Sequence, residues 1–352
     1  MTTGTYTLVP SPRIAELLDR SLAGIAADIG ALKLPGLRAV ILGGGYGRGE
    51  GGVLHTERGD ALYNDLDFFV FASGAGRALR ARIDRALREL AGPWTEKLGV
   101  AVDFGPVKNC KTLKKAASTL MFQELLRGWK PVWGTFEPEK WIPALEPRDL
   151  PFSEAARLLL NRGMGLVFAG EYLREGNWDA DFIVRNMNKA LLGAGDALLI
   201  AAGEYRWRGE ERLAFFGPWA AREKLPAGYA ALYEKAFRYK LEPLPVLPED
   251  PGARWRECRA FYLDAVRLIA GASKEDPGTG VVSGLSRRAA KDRSLKELLR
   301  WARRTFTLRP GPAMFEPPVV TLLGRVFALL AGTEEDFPPC PAELRRLWSV
   351  FN

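Results

Sequence analysis

Three aspartates carry the strongest chemical signal in the chain. Asp65 and Asp67 stand two apart in DLDFFVF, residues 65–71, and Asp103 sits in VAVDFGPV, residues 100–107. Side chains two apart on a strand share a face, so Asp65 and Asp67 project together while Leu66 and Phe68 turn the other way. Two carboxylates side by side among apolar neighbours repel each other unless a cation sits between them. A divalent metal pair relieves that repulsion. A third carboxylate from a neighbouring strand completes the inventory for two-metal phosphoryl chemistry. The pattern Asp-x-Asp alone is weak. The alternative, a solvated edge strand, leaves two acids unexplained in a run as apolar as Phe68, Phe69, Val70 and Phe71.

Upstream lies LGGGYGRGEGG, residues 42–52. Glycines let a backbone approach phosphate oxygens and point N–H groups at them. Gly44 and Gly45 are the candidates for that contact, and Arg48 can add a charge-assisted one. The run Gly47-Arg48-Gly49-Glu50-Gly51-Gly52 also fits GxGxxG, the dinucleotide fingerprint, which must open a helix. The next residues, VLHTERGDALYND, are full of turn formers and lack a helical stripe, which disfavours that parse.

The elements that must hold these residues read clearly. Ser11-Pro12 is a helix start, an N-cap residue followed by proline in the first turn. Residues 11–29 have helical apolar spacing, residues 37–42 read as a buried strand, and residues 43–52 as a glycine loop. Strands are expected at 65–71 and 100–107 and a short one at 131–133, with helices at 75–90 and 113–127. Together they describe an α/β (α+β) core with a small mixed sheet over residues 1–133. Residues 134–152, rich in proline and charge, read as a linker. From residue 153 to 352 the strand signals vanish, and helices are expected at 153–173, 180–205, 227–239, 253–272, 294–304, 319–331 and 341–351. The second half is therefore a C-terminal all-α helical domain.

The glycine loop, the paired acids and the later strand acid resemble the nucleotidyltransferase superfamily that contains DNA polymerase β and the kanamycin-type and minimal nucleotidyltransferases. The family pattern is Gly-Gly/Ser, a short loop, Asp-hydrophobic-Asp/Glu-hydrophobic, then a further strand acid. Gly44-Gly45 match the glycine pair, Tyr46-Gly47-Arg48-Gly49 the loop that often reads Arg-Gly, Asp65-Leu66-Asp67-Phe68 the acidic pair, and Asp103 the third acid. The likeness covers residues 38–133. The loop between Gly45 and Asp65 is longer than usual, with residues 51–63 as the insertion. The resemblance implies that Asp65 and Asp67 bind both metals, that Asp103 holds the catalytic metal and helps activate an acceptor hydroxyl, and that Gly44, Gly45 and Arg48 hold the triphosphate of an NTP. It implies Mg²⁺, or Mn²⁺ in its place, and transfer of a nucleoside monophosphate to a hydroxyl on a small molecule, a protein or a nucleotide, with release of pyrophosphate. The helical domain would close over the nucleotide and select the acceptor. Lys189 would reach the phosphates, as a lysine from the helical domain does in several relatives. On its helix Arg185, Lys189 and Asp196 fall near one face, so a structural ion pair between Lys189 or Arg185 and an acid such as Asp196 is the competing reading. Two further readings remain: the same chemistry on RNA or tRNA ends, as some nucleotidyltransferase toxins perform, and an inactive nucleotide-binding or interaction module with the same fold.

Composition bounds these expectations. The chain has 352 residues, enough for two domains, and a formal charge of +8. Residues 281–310 carry nine basic side chains (Arg287, Arg288, Lys291, Arg293, Lys296, Arg300, Arg303, Arg304, Arg309) against Asp292 and Glu297. RNA or another polyanion suits that stretch, and so does a solvated helix face. The cluster Lys108, Lys111, Lys114 and Lys115 and the aromatic–basic run Tyr205-Arg206-Trp207-Arg208 have the same two readings. Three scattered cysteines and one histidine, His55, exclude a disulfide framework and a histidine-rich metal centre. Any metal must be held by carboxylates, which favours a hard cation. With no signal peptide and no apolar run of membrane-spanning length, the expected setting is the cytoplasm.

Overall fold

A computed structural model of the chain describes residues 5–110, 113, 118–273, 276, 278–290, 318–332 and 339–351. It is α-rich, with a small mixed sheet. The chain divides into two compact units. Unit 1 comprises Met1–Glu146, Trp207–Gly209 and Arg238–Leu244; unit 2 comprises Pro147–Arg206, Glu210–Phe237 and Pro245–Asn352.

Unit 1 opens with helix α1, Pro12–Ala31, whose Ser11 side chain accepts the Ile14 N–H and whose buried stripe is Ile14, Leu18, Leu22, Ile25 and Ile29. Strand β1, Leu37–Leu42, leads into the one-turn helix α2, Gly44–Arg48. A hairpin comes next, β2 Val53–Thr56 and β3 Gly59–Leu62. Strand β4, Leu66–Ala72, is joined to β5, Val102–Phe104, by helix α3, Arg77–Leu98. Strand β6 is Lys108–Asn109, helix α4 is Leu120–Arg127, and β7 is Lys130–Gly134.

The sheet order is β5-β4-β1-β7, with β6 also pairing β4. Strand β1 is antiparallel to β4 and β7, whereas β4 is parallel to β5 and β6. A parallel neighbour needs a long crossover, and α3 supplies it. The alternation of β1 and β4 sorts their side chains onto two cores. Val40, Leu42, Leu66, Phe68 and Val70 pack with α1 and α3. Ala39, Ile41 and Phe71 pack with Phe122 and Leu125 of α4 and with Phe136. Full burial of each such phenylalanine contributes about 1.5–3 kcal/mol.

The stretch expected as a linker, residues 134–152, is packed in its first half. Phe136 stacks on Phe71 at 3.8 Å between ring centroids, and Ile142 is buried. Buried Gln123 donates to the Pro143 carbonyl and accepts the Leu145 N–H. Aromatic burial there outweighs the proline content that signalled a linker. Helix α3 also runs past the expected end at residue 90, through Pro93, because buried Trp94 anchors the last turns by donating to Asp28 at 2.9 Å.

Unit 2 holds helices and, among its described residues, no strand. They are α5 Phe152–Glu175, α6 Ala180–Ala201, α7 Gly209–Arg222, α8 Gly228–Leu241, α9 Pro251–Ala270, α10 Thr279–Ala289, α11 Pro318–Ala331 and α12 Ala342–Phe351; the first residue of α7 and the last turn of α8 belong to unit 1. Helices α7 and α10 were not expected. Pro218 inside α7 and the glycines at 278, 280 and 284 around α10 hide their periodicity. The helix expected at 294–304 lies outside the described residues. No described helix is long and apolar enough to cross a membrane.

Candidate functional site

Asp67 and Asp103 are Cα partners in the parallel pair β4–β5. Such neighbours stand about 4.8 Å apart, so the two side chains leave the sheet on the same face. Asp65 immediately precedes β4, two residues from Asp67, and all three acids are exposed. Their strand neighbours Leu66, Phe68, Val102 and Phe104 enter the opposite core, as alternation requires. The acids therefore share the face of Phe69 and Phe71. Further along β4 that face is covered, with Phe69 against Phe122 of α4. Near the start of β4 the acids take the place of that apolar cover. Among the described residues neither Asp65 nor Asp103 forms an ion pair.

The glycine run meets this edge. The Gly43 N–H donates to the Asp67 carbonyl at 2.8 Å. Gly44 has φ +60°, and a Cβ there would fall 2.1 Å from Asp67 Oδ2. Only glycine holds the backbone in that conformation so close to the carboxylate. Gly45 is under no such demand, since the nearest atoms to an added Cβ lie at 3.5 Å. The segment expected as an open loop is instead the turn of α2, with a Cβ on Gly47 meeting the Leu42 carbonyl at 2.5 Å. Beyond this turn the chain forms the β2–β3 hairpin and not a helix, which removes the dinucleotide parse.

Two residues that the sequence reading passed over hold this corner together. Tyr46 is fully buried; its hydroxyl donates to the Gly52 carbonyl at 2.8 Å and accepts the Tyr63 N–H at 3.0 Å. Burial pushes its phenol up to about 12, against the Tyr63 and Asn64 N–H groups, and the Asp65 charge adds to the rise. Glu50 is 5 % exposed. It accepts Lys240 Nζ at 2.7 Å and the Gly209 N–H at 2.8 Å, and lies 3.8 Å from Arg48 Nε. Burial alone would raise its carboxyl, but Lys240 and Arg48 with these hydrogen bonds outweigh it and hold it at about 2. A tyrosine inside a glycine run was the available signal for Tyr46. Glu50 gave none, because Lys240 is 190 residues away.

The remaining candidates fall elsewhere. Arg48 is held by Glu124 at 3.1 Å as well as by Glu50, so a phosphate contact would require its release. Lys189 is exposed on α6 of unit 2. Of the competing ion pairs, Arg185 forms one, with Asp181 at 3.5 Å, whereas Asp196 takes Arg212 at 3.2 Å and Tyr233 at 2.6 Å. His55 is an exposed hairpin residue between Asp60 and Glu242, whose hydrogen bonds raise its pKa. Tyr205 is buried beneath Arg212, and Arg127 stacks over Trp207 at 4.2 Å, so two aromatics of that run serve packing. Lys108 is half-buried, which lowers its pKa. Lys111, Lys114, Lys115 and the basic stretch beyond residue 290 lie outside the described residues.

Among the described residues no three His, Cys, Asp or Glu side chains stand close enough to form a metal-holding group. The carboxylates to be considered are Asp67 and Asp103, which are in register, and Asp65, two residues before Asp67. Mg²⁺ is commonly held by one or two carboxylates together with substrate phosphates and water, and not by an all-protein cage. Two adjacent carboxylates fit the protein's share of such a site. Comparison of the chain with family models, with curated proteins and with solved structures gives no match.

Proposed function

We propose that the chain is a metal-dependent nucleotidyltransferase whose reacting centre lies at Asp67, Asp103 and Asp65. The observation that carries this reading is the register of β4 on β5, which sets Asp67 beside Asp103, with Gly44 pressed against the same carboxylate. A like-charged pair costs stability, by about 0.2–1 kcal/mol where charges face each other across strands. Its place beside a glycine edge suits a ligand that brings positive charge.

In this reading Asp67 and Asp103 would hold Mg²⁺, with Asp65 as the further carboxylate, and a bound ion would supply charge neutralisation at the triphosphate. The backbone at Gly44 and Gly45 borders the space the phosphates would fill. A hydroxyl oxygen of the acceptor attacks the α-phosphorus of an NTP, the bond to the bridging oxygen of the β-phosphate breaks, and pyrophosphate leaves. Asp103 takes up the proton of the hydroxyl. Catalysis is then mainly alignment and charge neutralisation.

The test is incubation with each α-labelled NTP, Mg²⁺ or Mn²⁺, and cell extract. Label should pass to an acceptor with the native chain and not with Asp67→Asn or Asp103→Asn. If neither transfer nor metal-dependent NTP binding is seen with the native chain, the proposal fails.

A further inference from the structure

Helix α3 carries an arginine face that the chemistry above does not use. Residues 77–88 contain five arginines and one acid. Ile83 and Leu87 are buried against the sheet. Arg77, Arg82, Arg85 and Arg88 are exposed. At 100° per residue these four fall within an arc of about 140°, spread over about 16 Å of helix. Among the described residues none of the four forms an ion pair; Arg88 Nε donates to the Asp84 carbonyl within the helix. The one acid of the stretch is committed elsewhere, since Asp84 Oδ1 accepts the Val107 N–H at 2.8 Å. Glu89, at the C-terminal edge of the stripe, makes no ion pair with it. Ala78 and Ala81, also exposed, leave the guanidinium groups room to reach outward.

An ordinary solvated helix face mixes charge signs and gains from pairs at i, i+4. This one carries four cations to one acid, Glu89, within the same arc, and makes no such pair among the described residues. Arginine is the side chain suited to phosphate oxygens, through its planar fork of donors. A linear polyanion with repeating phosphates therefore complements the stripe, whereas a single small anion would engage at most two of its members. The site is separate from the acids. Ile83 and Leu87 of α3 pack in one core with Leu66, Phe68 and Val70, and the acids stand on the opposite face of β4.

We infer that the exposed face of α3 docks the phosphate backbone of RNA. The arginine stripe stands by itself; the choice of RNA over DNA rests on the nucleotidyltransferase reading, which needs a hydroxyl acceptor and a chain that offers one at every nucleotide.

The test is fluorescence anisotropy with a labelled RNA hairpin and its DNA counterpart, without NTP, over a series of salt concentrations. Omitting NTP separates this surface from the reaction, so failed transfer would leave the binding result intact and the reverse. The native chain should bind the RNA at low salt at least as tightly as the DNA. The fourfold variant Arg77→Gln, Arg82→Gln, Arg85→Gln, Arg88→Gln should lose at least tenfold in affinity at about 50 mM salt, with a salt slope shallower by about three. The matching fourfold Arg→Lys variant should keep most of the binding, which separates lost charge from lost folding. A double Arg287→Gln, Arg288→Gln variant should bind as the native chain does. No RNA binding by the native chain, equal binding by the Gln and native chains, or tighter binding of DNA would each overturn the inference.

Discussion

Two groups of carboxylates in unit 1 receive opposite treatment. Glu50 is buried, and the fold surrounds it with Lys240, Arg48 and the Gly209 N–H. Asp67 and Asp103 are exposed, and the fold sets one directly beside the other. Removing a charge from water costs several kcal/mol unless it is met, so a buried carboxylate with full satisfaction belongs to the structure. A like-charged pair at the surface is tolerated at small cost but gains nothing from it. The contrast sets an acid that builds the molecule against the exposed acids to which the proposed function assigns the metal.

Substitutions should divide along that line. Asp67→Asn or Asp103→Asn should lower label transfer by roughly 10³-fold, the scale for losing one well-placed electrostatic partner of a transition state. Circular dichroism should show a native fold in both. Glu50→Gln should do the reverse. Removing the buried charge that meets Lys240 and Arg48 should cost about 3–5 kcal/mol in urea unfolding, while any protein that remains folded keeps its transfer activity. An equal loss of activity and stability in all three variants would erase the distinction.

Acid should reach Glu50 as well. Its carboxyl is held at about 2 against an ordinary 4.5. A lowered folded-state value means the stabilisation is complete above pH 4.5 and is lost as pH falls from there through 2. Its size is about 3 kcal/mol, from 1.36 kcal/mol per unit. Urea midpoints measured between those limits should fall for the native chain and change less for Glu50→Gln. Gly44→Ala should cost less, about 1–2 kcal/mol for the left-handed backbone, but should disturb transfer because the new methyl meets Asp67. The smallest effect is the most discriminating. Asp103→Asn should leave the melting temperature unchanged or raise it slightly, by the few tenths of a kcal/mol that relief of like charge supplies.

Much of unit 1 was legible because alternation is a strong signal. The runs at 37–42 and 65–71 identified β1 and β4, and the face shared by Asp65 and Asp67 followed from a period of two. Asp103 was found on its strand, but its register against Asp67 was not, since nothing local encodes which residues pair across α3. The turn of α2 was hidden because glycine disfavours helix; tertiary hydrogen bonds, among them Gly43 to Asp67, hold it. The β2–β3 hairpin lacked a strong turn dipeptide, with only Gly59 at φ +98° to mark it. Least legible was the recruitment of Trp207–Gly209 and Arg238–Leu244 into unit 1. Those segments read as helix ends, and the partner that draws Lys240 in is an acid 190 residues earlier.

The most direct test of the central claim is Mn²⁺ binding followed by electron paramagnetic resonance, with and without an NTP, in the native chain and in the Asp67→Asn, Asp103→Asn and Glu50→Gln variants. The expected result is tight Mn²⁺ uptake that needs NTP, lost in both aspartate variants and kept in Glu50→Gln where it is folded. Mn²⁺–NTP binding that survives the loss of both aspartates, or none at all in the native chain, would contradict the assignment of Asp67 and Asp103 as the metal-holding pair.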